Sequence, residues 1–122
     1  MQRKVLLVED EKNVILGVRT CLDAVGYSVE IVEDGEEALN AVRREHPDLI
    51  LLDLLLPKLD GFEVLKVLKG NPETARIPVI VLTARAEEED RQRALDLGAN
   101  NFMTKPFKPQ ELWDRLKDYL ST

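Results

Sequence analysis

Leu49-Ile50-Leu51-Leu52-Asp53 is the stretch that decides the fold of this chain. Four consecutive aliphatic residues fit a strand buried on both faces, as in a parallel sheet covered by helices, and not the alternation of a half-exposed strand. The run stops on a single carboxylate, and Leu54-Leu55-Leu56-Pro57 then leads to the turn Asp60-Gly61. An acid leaving the carboxyl end of a buried strand stands where open α/β sheets carry their chemistry. An aspartate at such a place also caps turns for purely structural reasons. The flanking sequence separates these two readings.

Working outward, Lys4-Val5-Leu6-Leu7-Val8 repeats the buried-strand pattern and ends on Glu9-Asp10, while Pro78-Val79-Ile80-Val81-Leu82 repeats it and ends on Thr83. Ser28-Val29-Glu30-Ile31-Val32 alternates more, as an edge strand does, and Asn101-Phe102-Met103-Thr104 makes a short fifth strand ending on Lys105-Pro106. Helical spacing fills the gaps. The first helix runs to about Val25, with Val14, Val18, Cys21, Leu22 and Val25 on one face and Gly26 as its C-terminal cap. The second spans about residues 36–45, with Asp34 and Glu37 in a capping-box arrangement and His46 placed to cap its last carbonyls. Asp60 and Glu63 repeat that arrangement for a third helix carrying Phe62, Leu65 and Leu68, which Gly70-Asn71-Pro72 breaks. A last helix starts near Pro109 and buries Leu112, Leu116 and Leu120.

The helix before it, from about Ala86 to Leu97, differs from the others. Residues 85–93 are almost wholly charged or polar, leaving Ala94, Leu95 and Leu97 as a thin apolar patch. So little to bury predicts a loosely held element. Strict alternation of strands and helices predicts a doubly wound α/β domain with a five-stranded parallel sheet. Crossover rules favour the order 2-1-3-4-5. One domain accounts for residues 1–122, with no repeat or linker.

Composition narrows the function. At 122 residues and 44% apolar, the chain has material for a single core. A net charge of −6 without any run of Lys or Arg argues against direct binding to phosphate backbones, so no nucleic-acid contact by this segment is expected. The lone Cys21 excludes an internal disulfide and a cysteine zinc site, and its place on an apolar stripe makes it core. No apolar run approaches the ~20 residues that span a bilayer, and no signal-peptide pattern opens the chain, so a cytoplasmic protein without membrane contact is expected.

The residues just past the interior strands are Glu9-Asp10, Asp53 and Thr83, with Lys105 past the fifth. The fold sets all of them on one rim. Three carboxylates crowded there repel one another, and a hard divalent cation and an ammonium both relieve this. Oxygen ligands without His or Cys suit Mg²⁺. Lys105 supplies the ammonium and Thr83 a hydroxyl donor. A metal, a lysine and a hydroxyl around one carboxylate form a receptor for a transferring phosphoryl group, with Asp53 as nucleophile.

At this point the chain resembles the receiver domain of two-component response regulators, the CheY-like members of the flavodoxin-like fold. The carriers are Val8-Glu9-Asp10-Glu11, Asp53 with Pro57 and Asp60-Gly61, Thr83-Ala84, and Lys105-Pro106-Phe107, across essentially the whole chain. The resemblance implies that Asp53 accepts a phosphoryl group from the phosphohistidine of a sensor histidine kinase or phosphotransfer protein. It implies Mg²⁺ held by Asp10, Asp53 and the backbone carbonyl of Leu55, with Glu9 acting through water. Thr83 and Lys105 would hold the phosphoryl oxygens, and the Lys105-Pro106 peptide would be cis. Such a protein catalyses its own phosphorylation and dephosphorylation and is not otherwise an enzyme. Phe102 matches the family's switch aromatic but lacks the hydroxyl of the common tyrosine. The last third is similar to receivers of the OmpR/PhoB transcription-factor class, which dimerise through the fourth helix, fifth strand and fifth helix. Arg91 with Glu111 and Asp96 with Lys117 match two of their cross-subunit pairs. The third should join an acid to Arg115, but Asn101 occupies the acid's position.

Other classes fit less well. A phosphate-ester hydrolase would want a second acid two residues after the nucleophile, where Leu55 stands, and a covering cap. A flavodoxin-like electron carrier needs a Ser/Thr/Gly-rich phosphate loop after the first strand, where Glu9-Asp10 would repel the phosphate. A phosphate-independent interaction module leaves the complete acid, threonine and lysine set without a role.

Overall fold

Strands that are aliphatic at every position must be covered on both faces, and the computed structural model, which describes residues 2–85 and 87–120, shows how. Strands β1 (Lys4–Val8), β2 (Ser28–Val32), β3 (Leu49–Leu52), β4 (Val79–Thr83) and β5 (Asn101–Thr104) alternate with helices α1 (Lys12–Ala24), α2 (Gly35–Arg44), α3 (Gly61–Gly70), α4 (Glu88–Asp96) and α5 (Pro109–Leu120). All pairings are parallel, in the order β2-β1-β3-β4-β5. This is the architecture expected from the alternation.

Side-chain parity divides the interior into two layers. Leu6, Val8, Ile50, Leu52, Val79 and Val81 point to the layer that holds Ala38, Val42, Phe62, Leu65 and Ala94. Val5, Leu7, Leu49, Leu51, Ile80 and Leu82 point to the other, with Val18, Leu22, Leu112 and Leu116. The opening tetrapeptide is therefore apolar throughout because each alternate pair serves a different layer. Cys21 is buried in the second layer, as expected of a core thiol.

Several local expectations shift. Val25 is 48% exposed, because α1 stops at Ala24 and Val25 becomes its C-cap before the chain turns at Gly26 (φ +80°). Asp34 caps α2 by accepting from the Glu37 N–H (2.9 Å), but the Glu37 carboxylate returns to the N–H of Glu33 (3.0 Å), one residue outside the expected box. Asp60 accepts from the Phe62 N–H (2.7 Å), so the box expected with Glu63 is replaced by a tighter turn. His46 lies exposed two residues past the end of α2, where the Glu45 N–H bonds back to Ala41. The start expected for the fourth helix, Ala86, lies outside the described residues.

One lysine of an ordinary-looking helix end has a role the sequence hides. Lys69 Nζ donates to the carbonyls of Ala75 (2.9 Å) and Ile77 (2.8 Å) and to Asn100 Oδ1 (3.1 Å). The same Asn100 oxygen accepts the Val79 N–H (2.9 Å). Lys69 thus ties α3 to the amino ends of β4 and β5, and burial lowers the pKa of its ammonium.

Register delivers the opposite ends of the strands to one level. Val8 pairs with Leu52, Leu52 with Val81, and Thr83 with Thr104. The ladder runs on one bond further: the N–H of Asp53 donates to Val8 (3.1 Å), that of Glu9 to Val32 (2.9 Å) and that of Lys105 to Thr83 (2.9 Å). Residues that leave three different strands are fixed relative to one another by backbone bonds before any side chain is considered.

Candidate functional site

Glu9 and Asp53 are nearly sealed from solvent, at 1% and 4% exposure, and Thr83 is fully buried, whereas Asp10 is exposed. Carboxylate oxygens of Glu9, Asp10 and Asp53 all lie within 4.8 Å of one another. Lys105 enters this group from β5. Its Nζ is 2.7 Å from Glu9 Oε1, 3.0 Å from Asp53 Oδ2 and 3.6 Å from Glu11 Oε2. Asp53 Oδ1 accepts from the Leu55 N–H (3.2 Å), and Glu9 Oε2 accepts from the Glu11 N–H (3.1 Å).

The electrostatics follow from burial. Desolvation pushes the Glu9 carboxyl above the usual range, and the charge on Asp53 adds to this while the Lys105 ammonium opposes it. Burial pulls the Lys105 ammonium down, but Glu9 and Asp53 together outweigh it and leave the pKa above that of an ordinary lysine. Glu9 Oε1 is buried without a hydrogen bond among the described residues; its short approach to Lys105 is an ion pair with poor direction. A buried oxygen left this way wants a further partner. With all three acids ionised, one ammonium leaves two negative charges uncompensated, which matches a divalent cation. The donors are all oxygen, as Mg²⁺ prefers. The residues present therefore fit that ion.

The remaining predicted residues are distributed around this centre. Thr83 Oγ1 accepts from the N–H of Arg85 (3.1 Å). Leu55 is 52% exposed in the loop after Asp53. Phe102 is half-buried against the layer containing Phe62 and Leu65. The Lys105-Pro106 peptide is cis, as expected. Beside Lys105 a cavity of about 530 Å³ opens between Val14 and Gly17 on one side and Pro106 and Phe107 on the other.

The proposed dimer residues are not brought together within one chain. Arg91 pairs with Glu88 inside α4 (3.6 Å), and Asp96 accepts from Gln92 (2.9 Å). Glu111 and Lys117 are exposed on α5 and Arg115 is half-buried. Asn101 accepts from the Phe102 N–H (2.9 Å) and bonds the Tyr119 hydroxyl (3.4 Å).

Known proteins share both the fold and the sequence. The profile of the response regulator receiver domain matches residues 5–117. The chain belongs to the response regulator receiver family. This receiver is 45% identical over 120 residues to the alkaline phosphatase synthesis transcriptional regulatory protein PhoP of Bacillus subtilis, covering 98% of the chain and 49% of that protein. It is also 45% identical to the phosphate regulon transcriptional regulatory protein PhoB of Escherichia coli, covering 96% of the chain and 51% of that protein. The receiver therefore spans about half the length of the curated relatives it matches. Among solved structures, a receiver domain of a sensor histidine kinase from Pseudomonas aeruginosa, with a magnesium ion coordinated in its active site cleft, superposes at a TM-score of 0.90 with 34% identity and full coverage of both chains. A response regulator from Chloroflexus aurantiacus reaches 0.94 at 34% identity, again with full coverage of both.

Two sets of contacts at this receiver's rim are not legible in residue spacing. Glu11 stands in the recognised motif, but its approach to Lys105 depends on a loop turn that residue spacing does not reveal. Arg85 and Arg93 gather on Phe62, and Arg85 Nε lies 3.0 Å from Asp90 Oδ2. The guanidinium carbons of Arg93 and Arg85 lie 4.1 and 5.4 Å from the centre of the Phe62 ring. Arginines in a charged run read as solvated surface; Arg93 does stay exposed and Arg85 half-buried, but each lays its guanidinium on this ring, which residue spacing does not reveal. The thin apolar patch expected of the fourth helix is present, with Ala94 buried and Leu95 and Leu97 partly so, and charged side chains on an aromatic ring add to it.

Proposed function

We propose that this receiver takes a phosphoryl group onto Asp53 from the phosphohistidine of a histidine kinase or phosphotransfer protein, in a reaction that requires Mg²⁺. The observation that carries the reading is Lys105 Nζ bonded to Asp53 while paired with Glu9, inside a cluster of three carboxylates at the ends of adjacent strands. An isolated salt bridge would not leave an acid excess around its own aspartate. A carboxylate oxygen of Asp53 attacks phosphorus as the phosphorus–nitrogen bond breaks, and the departing imidazole keeps the electron pair and takes up a proton. Lys105, already bonded to Asp53, would hold one phosphoryl oxygen, and Thr83 would donate its hydroxyl to another. Glu9, Asp10, Asp53 and the Leu55 carbonyl would hold the metal, which when bound offsets the charge of the acids and the incoming phosphoryl oxygens.

Mg²⁺ alone tests the cation site. It binds the folded acid cluster and not the dispersed acids of the unfolded chain, so the melting temperature should rise with its concentration, by the equivalent of about 2.7 kcal/mol at a hundredfold excess over Kd. A melting curve indifferent to saturating Mg²⁺ would remove the site. Acetyl phosphate with Mg²⁺ should then add one acid-stable, base-labile phosphoryl group per chain.

Relatives that are transcriptional regulatory proteins support a role in controlling transcription, and the resemblance of the last third to OmpR/PhoB-class receivers implies a homodimer. Arg91 with Glu111 and Asp96 with Lys117 would pair across it, and Asn101 removes the partner of Arg115. Exposed pairs contribute ~0–1 kcal/mol each, so losing one of three leaves a weak dimer. Sedimentation should show a phosphorylation-dependent dimer that dissociates as salt rises; a monomer at every concentration and phosphorylation state would exclude it.

A further inference from the structure

The cluster on Phe62 joins the site to α4, and it is built in a way simple packing does not require. Phe62 lies in the first turn of α3, is 1% exposed, and has its N–H fixed by Asp60. Its ring takes Arg93 from α4 and Arg85 from the loop before α4. Arg85 in turn pairs with Asp90, a buried acid in the first turn of α4. Among the described residues that helix has no side-chain cap: Glu87 makes no bond to its free N–H groups. Asp90 and Arg85 thus secure the end that a cap would normally hold. Beyond Ala94, the apolar residues Leu95 and Leu97 only partly enter the core.

The same Arg85 is tied to the site. Its N–H donates to Thr83 Oγ1 at 3.1 Å. Thr83 is the hydroxyl assigned above to a phosphoryl oxygen. Movement of Oγ1 toward a group on Asp53 stretches this bond and frees the backbone of Arg85. A phosphoryl group also brings new negative charge to the rim that Arg85 borders, in competition with Asp90.

We propose that Arg85 and Arg93 on the ring of Phe62, with Asp90 paired to Arg85, form a latch that holds α4 in its resting position and that modification of Asp53 must open. The proposal rests on the phosphoacceptor reading. It places the resistance to switching in two guanidinium contacts and one ion pair, and it identifies α4 as the element released. By linkage, whatever weakens the latch strengthens binding at Asp53 by the same factor.

The test uses the whole chain, with beryllofluoride and Mg²⁺ as a non-covalent stand-in for the phosphoryl group. Arg93→Met keeps the apolar stem and removes the cation; Asp90→Asn removes the charge that pairs with Arg85; Arg93→Lys keeps charge but loses the flat face. Arg93→Met and Asp90→Asn should bind beryllofluoride on the order of tenfold more tightly, with Arg93→Lys between them and the parent. Amide exchange without beryllofluoride should quicken across residues 88–96 and stay unchanged in β1 and β3, which shows that the variants remain folded. A parent that binds while the variants bind equally well, or with unaltered exchange in α4, overturns the latch and leaves the phosphoacceptor reading standing. A parent that takes up no beryllofluoride overturns both.

Discussion

Asp53→Asn should take up no phosphoryl group from acetyl phosphate and Mg²⁺, while the parent takes up one per chain. The amide differs from the carboxylate by few atoms, yet it lacks the charge and the free electron pair that attack on phosphorus requires. Misfolding cannot account for the loss, because the substitution removes one of three crowded negative charges. Asp53, 4% exposed and within 4.8 Å of Glu9 and Asp10, contributes repulsion that the single Lys105 only partly offsets. The variant without metal should therefore melt at or above the parent, and its gain from Mg²⁺ should shrink, since one ligand and one charge are gone. Base-labile label counted against protein mass, together with melting curves at several Mg²⁺ concentrations, checks both halves. Label on the variant equal to that on the parent would mean that another residue is the acceptor.

The opposing outcomes of stability and activity at one position reflect how the site is made. Most of its residues stand at or just past the last residue of a strand, which explains why they could be read from sequence. Val8 leads to Glu9, Leu52 to Asp53 and Thr104 to Lys105, and Thr83 itself closes β4. Once the strand order is inferred, no loop conformation has to be known to place them together. Elsewhere the sequence was silent because the deciding contact is long-range and polar. Lys69 looks like a helix-end lysine until Asn100, thirty-one residues on, supplies its acceptor. Arg85 and Arg93, half-buried and exposed, look like plain surface charges until the ring of Phe62 is seen beneath them. Val25 misled for the opposite reason: the apolar spacing was right, but α1 ends one residue before it. Apolar periodicity reports which face is buried, and it does not report charged groups recruited to a buried aromatic.

A second large effect is expected at a residue with no chemistry of its own. Gly61→Ala should lower both stability and phosphorylation rate. Gly61 opens α3 without the left-handed backbone of Gly26 or Gly98, so its conformation alone would accept alanine. The obstacle is space. A Cβ at this position would stand 2.5 Å from the carbonyl oxygen of Asp53 and 2.6 Å from Leu54 Cα, both backbone atoms. The Gly61 N–H also bonds the Leu54 carbonyl (3.1 Å), so the two segments are drawn together where the methyl must fit. Backbone cannot yield as the end of a flexible side chain does, and overpacking of this kind costs about 1–3 kcal/mol. The segment that must move carries the acceptor, and misplacement of a reacting group by about 1 Å costs on the order of a hundredfold in rate. Gly70→Ala is the contrasting case. It lies at the other end of α3 with nothing within 4 Å of its Cβ, and alanine there should be neutral or stabilising by up to about 1 kcal/mol. Urea denaturation and single-turnover phosphorylation distinguish the two. If Gly61→Ala unfolds at the parent's midpoint and is phosphorylated at the parent's rate, the contact between α3 and the Asp53 backbone does not position the acceptor.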